Sequence, residues 1–417
     1  MKQNKFLIIP FIVMLIVSLL FLVAQIPTAK VEPKNLPIAL VNEDSGEMGD
    51  TLTEKLTANA PNAIKFIEYD STKAMKAGMN DRKAYGGIVI PKDFSKTLAS
   101  LQTDKPKAAT LKLFINEGMN TTAATSVEAM LKQISSQLNA NVSAQMLSKM
   151  QDATDTMSKE VSAQLEQMIK MQTQAAQAQA AQSGQQAPTN DAGAQLAKLS
   201  TLISPVQPEK VTLLANPIET KVTKVNKAGD LASVPSAVFV AVWISSLLGA
   251  LMFYFAGNKR EFTSRKELTI FHVIQSLLPI IYGFFTGYVA TWYSTWILDY
   301  QFDSFHTVAL FISIAVITYV YMMLATVSWL KTPSIAIFGL LIFFGLPLIQ
   351  LAPEMIPDFY RDYVLPWLPM RFLIEGLKDI LFFGKDWMNH YTNILLGIGG
   401  VSLIILWMKN ILKKPAK

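Results

Sequence analysis

Residues 234–256 read VPSAVFVAVWISSLLGALMFYFA, without one ionisable side chain. A helix needs about 20 apolar residues to cross a hydrocarbon layer about 30 Å thick, so this stretch is long enough to span a membrane. Five others qualify: Phe6 to Ile26, Thr269 to Leu298 (with Pro279 inside it), Thr307 to Leu330, Pro333 to Leu351 and Tyr391 to Met408. Lipid offers the backbone no hydrogen-bonding partner, so these segments are expected to be helices. The rest of the composition agrees. Hydrophobic residues make up 51% of the 417 and charged residues only 16%, against about 25% charged in soluble domains. The absence of cysteine excludes disulfides, thiolate metal sites and a cysteine nucleophile.

Lys and Arg in short loops set orientation. Lys2, Lys5, Lys259, Arg260, Arg265, Lys266, Lys331, Lys409, Lys413, Lys414 and Lys417 fall on one side, and Arg361, Arg371, Lys378 and Lys385 on the other. That asymmetry puts both termini in the cytoplasm of a cell membrane, expected to be a bacterial plasma membrane. Phe6–Ile26 has the charged start and apolar run of a signal peptide, but 24–29 (AQIPTA) lacks a clean small-x-small site, which favours an uncleaved anchor. The expected organisation is 1–26 as tail and first span, 27–233 as an extracytoplasmic domain, and 234–417 as five further spans with a cytoplasmic loop at 257–268 and an external segment at 352–389.

Within 27–233 short apolar runs alternate with helical patterns. Leu36–Val41, Ala63–Tyr69, Tyr85–Ile90 and Leu111–Ile115 read as strands, and about 47–59, 71–82 and a stretch opened by Pro91 as helices. Such alternation implies an α/β domain with some parallel pairing. From Met119 the apolar residues Val127, Leu131, Ile134, Leu138, Val142, Met146 and Met150 recur every three or four positions, and Met157, Val161, Leu165 and Met168 continue the stripe. This predicts a long amphipathic helix over about 119–182, packed either on its own domain or along a partner. Residues 183–193, with Pro188, should interrupt it, and Val211–Val225, broken by Pro217, should return to the membrane in extended form.

The fold class expected from this reading is a polytopic α-helical membrane protein with six transmembrane helices and an extracytoplasmic α/β domain carrying a long amphipathic helix. No catalytic constellation accompanies it. His272, His306 and His390 lie near membrane boundaries and read as packing residues; no HExxH, GxSxG or phosphate loop occurs, and Gly384-Lys385 is followed by Asp386. The 182–186 tract, QSGQQ, is only superficially similar to an ATPase signature loop. No Asp, Glu, Lys or Arg lies deep in a span, which disfavours a pump with its own ion coupling. No nucleic-acid partner is expected.

Two loops and one short motif stand out. Asn258, Lys259, Arg260, Glu261, Phe262, Arg265, Lys266 and Glu267 form a mixed-charge loop in which Phe262 and Leu268 suit one face of a short helix. It reads either as a positive-inside loop or as a lever for a soluble partner. After Pro353, Pro357, Pro366 and Pro369, residues 370–383 read as an amphipathic helix. Phe372, Leu373, Leu377 and Ile380 share one face, while Arg371, Glu375, Lys378 and Asp379 lie elsewhere. The helix either lies in the outer leaflet or packs as a loop helix. Gly283 and Gly287 form a GxxxG suited to close helix approach.

Ala39–Asp44 (ALVNED), Gly87–Ser95 (GIVIPKDFS), Phe114–Gly118 (FINEG), Leu368-Pro369-Met370 and Glu375-Gly376-Leu377 follow one another in an order that resembles the permease subunit of a type-2 ABC exporter, within the branch related to phage infection protein (Pip). The resemblance covers essentially the whole chain. It implies a transport subunit that is not itself an enzyme and has no cofactor of its own, with ATP and Mg on a separate ABC ATPase. A second permease copy or paralogue would complete the assembly in the lipid bilayer. It further implies that 258–268 is the ATPase-coupling helix and that the helix containing Pro369, Arg371, Phe372, Glu375, Gly376 and Lys378 is an external re-entrant helix. The expected substrate is amphiphilic, drug-like or lipid-like. The rival reading is a surface scaffold or phage-receptor-type protein without transport. Many members carry an amphipathic helix before the first span, whereas here five residues precede it.

Overall fold

The computed structural model describes residues 14–412 apart from positions 17, 20, 21, 24, 30, 104, 184–207 and 259. Much of the expected first span, Lys2, Lys5, Lys259, Lys413, Lys414, Lys417 and most of the 183–193 interruption lie outside the described residues. The parts of the first span that are described, within 14–29, are helical, and the Tyr360 hydroxyl donates to the Val23 carbonyl at 3.1 Å.

The α/β unit is a five-stranded sheet of β1 (Leu36–Asn42), β2 (Ile64–Glu68), β3 (Gly86–Ile90), β4 (Ala109–Asn116) and β5 (Ile218–Val225), in spatial order β2-β1-β3-β4-β5. Every neighbouring pair is parallel except β3–β4. The side-chain alternation of strands sorts the core into two layers. Leu36, Ile38 and Leu40 of β1, Ile88 and Ile90 of β3, and Leu111, Leu113 and Ile115 of β4 point to one face. Helices α1 (Glu47–Ala58), α3 (Phe94–Ala99) and α4 (Thr121–Ser183) cover it through Leu52, Leu56, Phe94, Leu98, Val127 and Leu131. Ala39, Val41, Val89 and Phe114 point to the other, under Met75 and Met79 of α2 (Thr72–Asn80).

Three details depart from expectation. The third helix starts at Phe94 rather than Pro91, because Pro91 lies in a turn whose carbonyl accepts the Phe94 amide at 3.0 Å. Residues 208–215 form a helix, α5 (Pro208–Ala215), instead of extended chain. Its Leu214 is buried, and its Leu214 carbonyl accepts from the Ser143 hydroxyl at 2.7 Å. Beyond Pro217 the chain is not a bare connector: β5 pairs with β4 along its full length.

The long helix α4 divides the two readings of its stripe between its halves. Ile134, Leu138, Val142, Met146 and Met150 pack on the α/β core, whereas Met157, Met168 and Met171 are 52–62% exposed.

Five described helices are long and apolar enough to cross a membrane. They contain α6 (Val234–Asn258), α7 (Arg265–Ile297), α8 (Phe305–Leu330), α9 (Pro333–Gln350) and α11 (His390–Leu412). The chain is therefore a multi-pass, mainly helical membrane protein. Helix α8 is the axis: its apolar window is 78% buried, against 28–39% in the others. The core around it holds Trp243, Phe311, Tyr319 and Phe338. The remaining helix, α10 (Pro369–Phe383), wedges between this bundle and the α/β unit.

Candidate functional site

Arg82 joins the two halves of the molecule. Helix α2 ends in a Schellman motif: the Arg82 amide donates to the Met79 carbonyl at 3.0 Å and the Lys83 amide to the Gly78 carbonyl at 2.9 Å. The residue at the left-handed position of this motif is usually glycine. Here it is Arg82, with φ +62°. The buried Asn116 side chain holds the turn from behind, donating to the Met79 and Ala84 carbonyls at 2.8 and 3.0 Å. A strained, braced turn thus presents one guanidinium at the domain surface.

That guanidinium enters the polar side of α10. It pairs with Glu375 and, at 3.0 Å, with Asp379, while the Phe383 ring lies 5.4 Å from its centre. Lys378 reaches Glu375 at 2.9 Å and Lys385 reaches Asp379 at 3.1 Å. Asp379 is 1% exposed and Arg82 and Glu375 about 15%, so these are buried ion pairs. Burial alone would raise the Glu375 carboxyl; Lys378 and then Arg82 outweigh it and hold the group at about 2. Arg82 is in turn raised above its ordinary value: burial opposes its charge, and Glu375 more than compensates. Nearby, the Tyr85 hydroxyl donates to Glu354 at 2.7 Å and Asn120 donates to the Gln350 carbonyl at 2.9 Å, so the loop after α9 and the end of α9 are also tied to the α/β unit.

Helix α10 itself follows from its sequence. Pro369 opens it, where a missing N–H costs nothing, and Gly384 closes it at φ +62°. Leu373, Leu377 and partly Phe372 and Ile380 pack into the bundle core. At Gly376 a Cβ would overlap Phe311 of α8. Both sides of α10 are thus covered, one by α8 and the other by Arg82, which is the packed-helix arrangement. The sequence placed Glu375 and Asp379 off the apolar face of this helix but gave no sign of Arg82, whose partners lie almost three hundred positions away.

At the opposite end of α6 and α7, residues 260–264 form a loop rather than a separate helix, and α7 begins at Arg265. The reason is a cap. The Ser264 hydroxyl accepts the Glu267 amide at 3.2 Å, and Glu267 reaches back to the Thr263 amide at 3.2 Å and to Arg260 at 3.1 Å. These contacts lower the Glu267 carboxyl, the Thr263 amide first among them. Phe262 and Leu268, expected on one face of a short helix, are both buried, with Phe262 5.1 Å from the Phe271 ring. What the loop exposes is charge: Arg260, Glu261, Arg265 and Lys266, beside Asn258.

Gly283 and Gly287 face α8, where a Cβ on either would overlap Ile317 or Ser313. The close approach is within the chain. We expect Gly287→Leu to force α7 from α8 and cost about 1–3 kcal/mol, read as a lower melting temperature in detergent. Gly397→Leu, where a Cβ meets nothing within 4 Å, should leave it unchanged. The histidines sit in packing positions: His272 beside Phe271, His306 beside Tyr288, His390 beside Tyr391.

The described residues thus give a bundle of long apolar helices around one buried axis, with an α/β domain ahead of five of them, and the chain matches the family described as ABC-2 family transporter protein over residues 5–409. It belongs to the ABC-2 family. Two curated relatives are similar over part of the chain, both from Bacillus subtilis (strain 168). The ESX secretion system protein YueB is 28% identical over 147 residues, 32% of this chain and 14% of YueB. The uncharacterized protein YhgE is 31% identical over 155 residues, 34% of this chain and 20% of YhgE. The matched stretch therefore spans no more than a fifth of either relative. No solved structure matches.

For an ABC-2 membrane component the arrangement separates two ends. One end holds the buried ion-pair joint between the α/β unit and α10. The other carries an exposed, charged, rigidly capped turn between two spanning helices.

Proposed function

We propose that this chain is the membrane-spanning permease subunit of an ATP-driven exporter, moving an amphiphilic, drug-like or lipid-like substrate out of the cell. Hydrolysis of ATP, with its Mg, belongs to a separate ABC ATPase, and a second permease copy or paralogue completes the translocation path. In this reading the chain has six spans with both termini cytoplasmic, and the α/β unit stands outside a cell membrane. ATPase closure pushes the 260–268 turn. Because Ser264 and Glu267 cap α7 directly, the push reaches α7 without a flexible joint, and the glycine contact passes it to α8.

The observation that carries this reading is the family match from 5 to 409 in a chain whose spanning helices α6 and α7 meet at a charged turn. The uncharged character of the spans favours a substrate with a long apolar part over a bare ion. Arg265→Glu with Lys266→Glu leaves the Arg260–Glu267 brace in place. In this double variant, recovery of the ATPase with the tagged permease should fall at least about tenfold, at an unchanged melting temperature. Undiminished recovery would remove the coupling role.

The exposed distal half of α4 favours a second reading, a surface scaffold or phage-receptor-type protein without transport. Failure of any ATPase to co-purify with the unaltered chain would support that reading.

A further inference from the structure

The chain that returns from the tip of α4 steps down that helix in order. The Ser143 hydroxyl donates to the Leu214 carbonyl at 2.7 Å, the Asn139 side-chain amide donates to Asn216 at 3.2 Å, and the Ser135 and Thr220 hydroxyls are bonded to each other. As the number on α4 falls, the number of its partner rises, so the two segments run antiparallel. Helix α5 is the described part of this return nearest the tip, with Pro208 on the tip side of Leu214.

Beyond α5 the same face of α4 is apolar and uncovered. Around a helix of 3.6 residues per turn, Met150, Met157, Val161, Leu165 and Met168 all lie within about 40° of Ser143. Ile134, Leu138 and Val142, which pack on the α/β core, lie about 100–180° away. Met157 and Met168 are exposed, and Met150, Val161 and Leu165 are half-buried.

Chain length says what can cover this stripe. Residues 184–207 join the Ser183 end of α4 to Pro208 and lie outside the described residues. From Ser143 to Ser183 α4 rises about 60 Å, and α5 recovers about 9 Å of that. The rest, about 50 Å, falls to about 25 peptide steps, or about 2 Å each, where a helix supplies about 1.5 Å and extended chain about 3.4 Å. Most of the connection therefore has to run the length of α4 rather than gather into a separate unit. Its half next to α5 is apolar at the matching period: Leu196, Leu199, Leu202, Ile203 and Val206 recur every three or four positions.

We propose that 194–206 docks antiparallel on the distal stripe of α4, seating Leu196, Leu199, Ile203 and Val206 against Met150, Met157 and Val161, while 184–193 covers the remaining distance to Ser183. The occupant is this chain's own connection, already aligned on that face by α5. The arm then closes on itself and leaves no apolar stripe for a second copy. The docking goes beyond the transport reading and does not depend on it.

Because the chain has no cysteine, introduced pairs report proximity directly. In the full purified chain in detergent, Val161→Cys is combined in turn with Leu196→Cys, Leu199→Cys and Ile203→Cys and oxidised. At least one pair should close an intramolecular disulfide, with the product keeping the monomer mass and the reduced proteins melting like wild type. Its yield should exceed by at least about tenfold that of Lys159→Cys with the same partner, because Lys159 is on the opposite face of α4 and a disulfide needs Cα atoms within about 7 Å. A product of twice the mass from Val161→Cys alone would assign the stripe to a second copy and overturn the proposal. Equal yields from positions 161 and 159, or no disulfide with any of the three partners, would overturn it as well.

Discussion

Arg82→Ala is expected to loosen the α/β unit from α10 and to produce the largest loss of stability of any single change in the interdomain joint. The variant removes the cation that Glu375 and Asp379 share. Asp379, 1% exposed, keeps only Lys385, and Glu375 keeps only Lys378. Removing one partner from a buried ion pair costs about 3–5 kcal/mol where the charge left behind is uncompensated; with Lys385 and Lys378 still in place, the expected cost lies at the lower end, about 3 kcal/mol. The expected readout is faster hydrogen exchange in 72–90 and in α10, with β1 and the α8 core unaffected.

Acid should have a related effect. Glu375 is held near 2 in the folded protein against an ordinary 4.5, so it binds protons more readily when unfolded. Its contribution is complete above about pH 4.5 and fades as pH falls toward 2. The melting-temperature gap between wild type and Arg82→Ala should therefore shrink across that window. A gap that stayed constant from pH 7 to pH 3 would deny Glu375 its role in the joint.

Trp243→Ala should have the second-largest effect, on the bundle itself. Trp243 is fully buried where α6, α8 and α9 meet. Its ring lies 5.1 Å from Tyr319 and 6.3 Å from Phe338, and its indole N–H donates to the Phe338 carbonyl at 3.3 Å. Lipid is as apolar as the helix interior, so little of its contribution comes from leaving water. What is lost is packing: at about 24 cal/mol per Å³ over a void of roughly 130 Å³, truncation costs about 3 kcal/mol. Trp243→Phe should recover most of that loss in a detergent melting experiment. Equal losses for Ala and Phe would mean that the indole hydrogen bond, rather than volume, carries the effect.

The sequence made the helices and strands legible because both are written locally. An uncharged run such as 234–256 fixes a spanning helix, and the alternation of Leu36 to Val41 fixes a strand between two helical layers. The stripe of α4 was legible in its period but not in its partner: periodicity says that Val127 and Met168 share a face, not that one is buried and the other 52% exposed. Phe262 shows the same limit: its place on one face of a short stretch was legible, but not that this face plugs inward against Phe271. Arg82 was beyond reach. Its function depends on a left-handed turn normally filled by glycine, and on a helix whose carboxylates are distant in the chain. The one local trace was a pair of acids four residues apart, Glu375 and Asp379, on a helix between membrane segments, where uncompensated charge is expensive.

Cysteine-free chains permit one direct test of the whole arrangement. Gln151→Cys and Lys266→Cys, each exposed and on opposite sides of the membrane in the proposed topology, can be probed with a membrane-impermeant thiol reagent on wall-stripped cells. The account predicts that position 151 labels on intact cells, whereas position 266 labels only after permeabilisation. Labelling of 266 on intact cells, with 151 protected until the membrane is opened, would place the α/β unit in the cytoplasm and contradict the exporter reading.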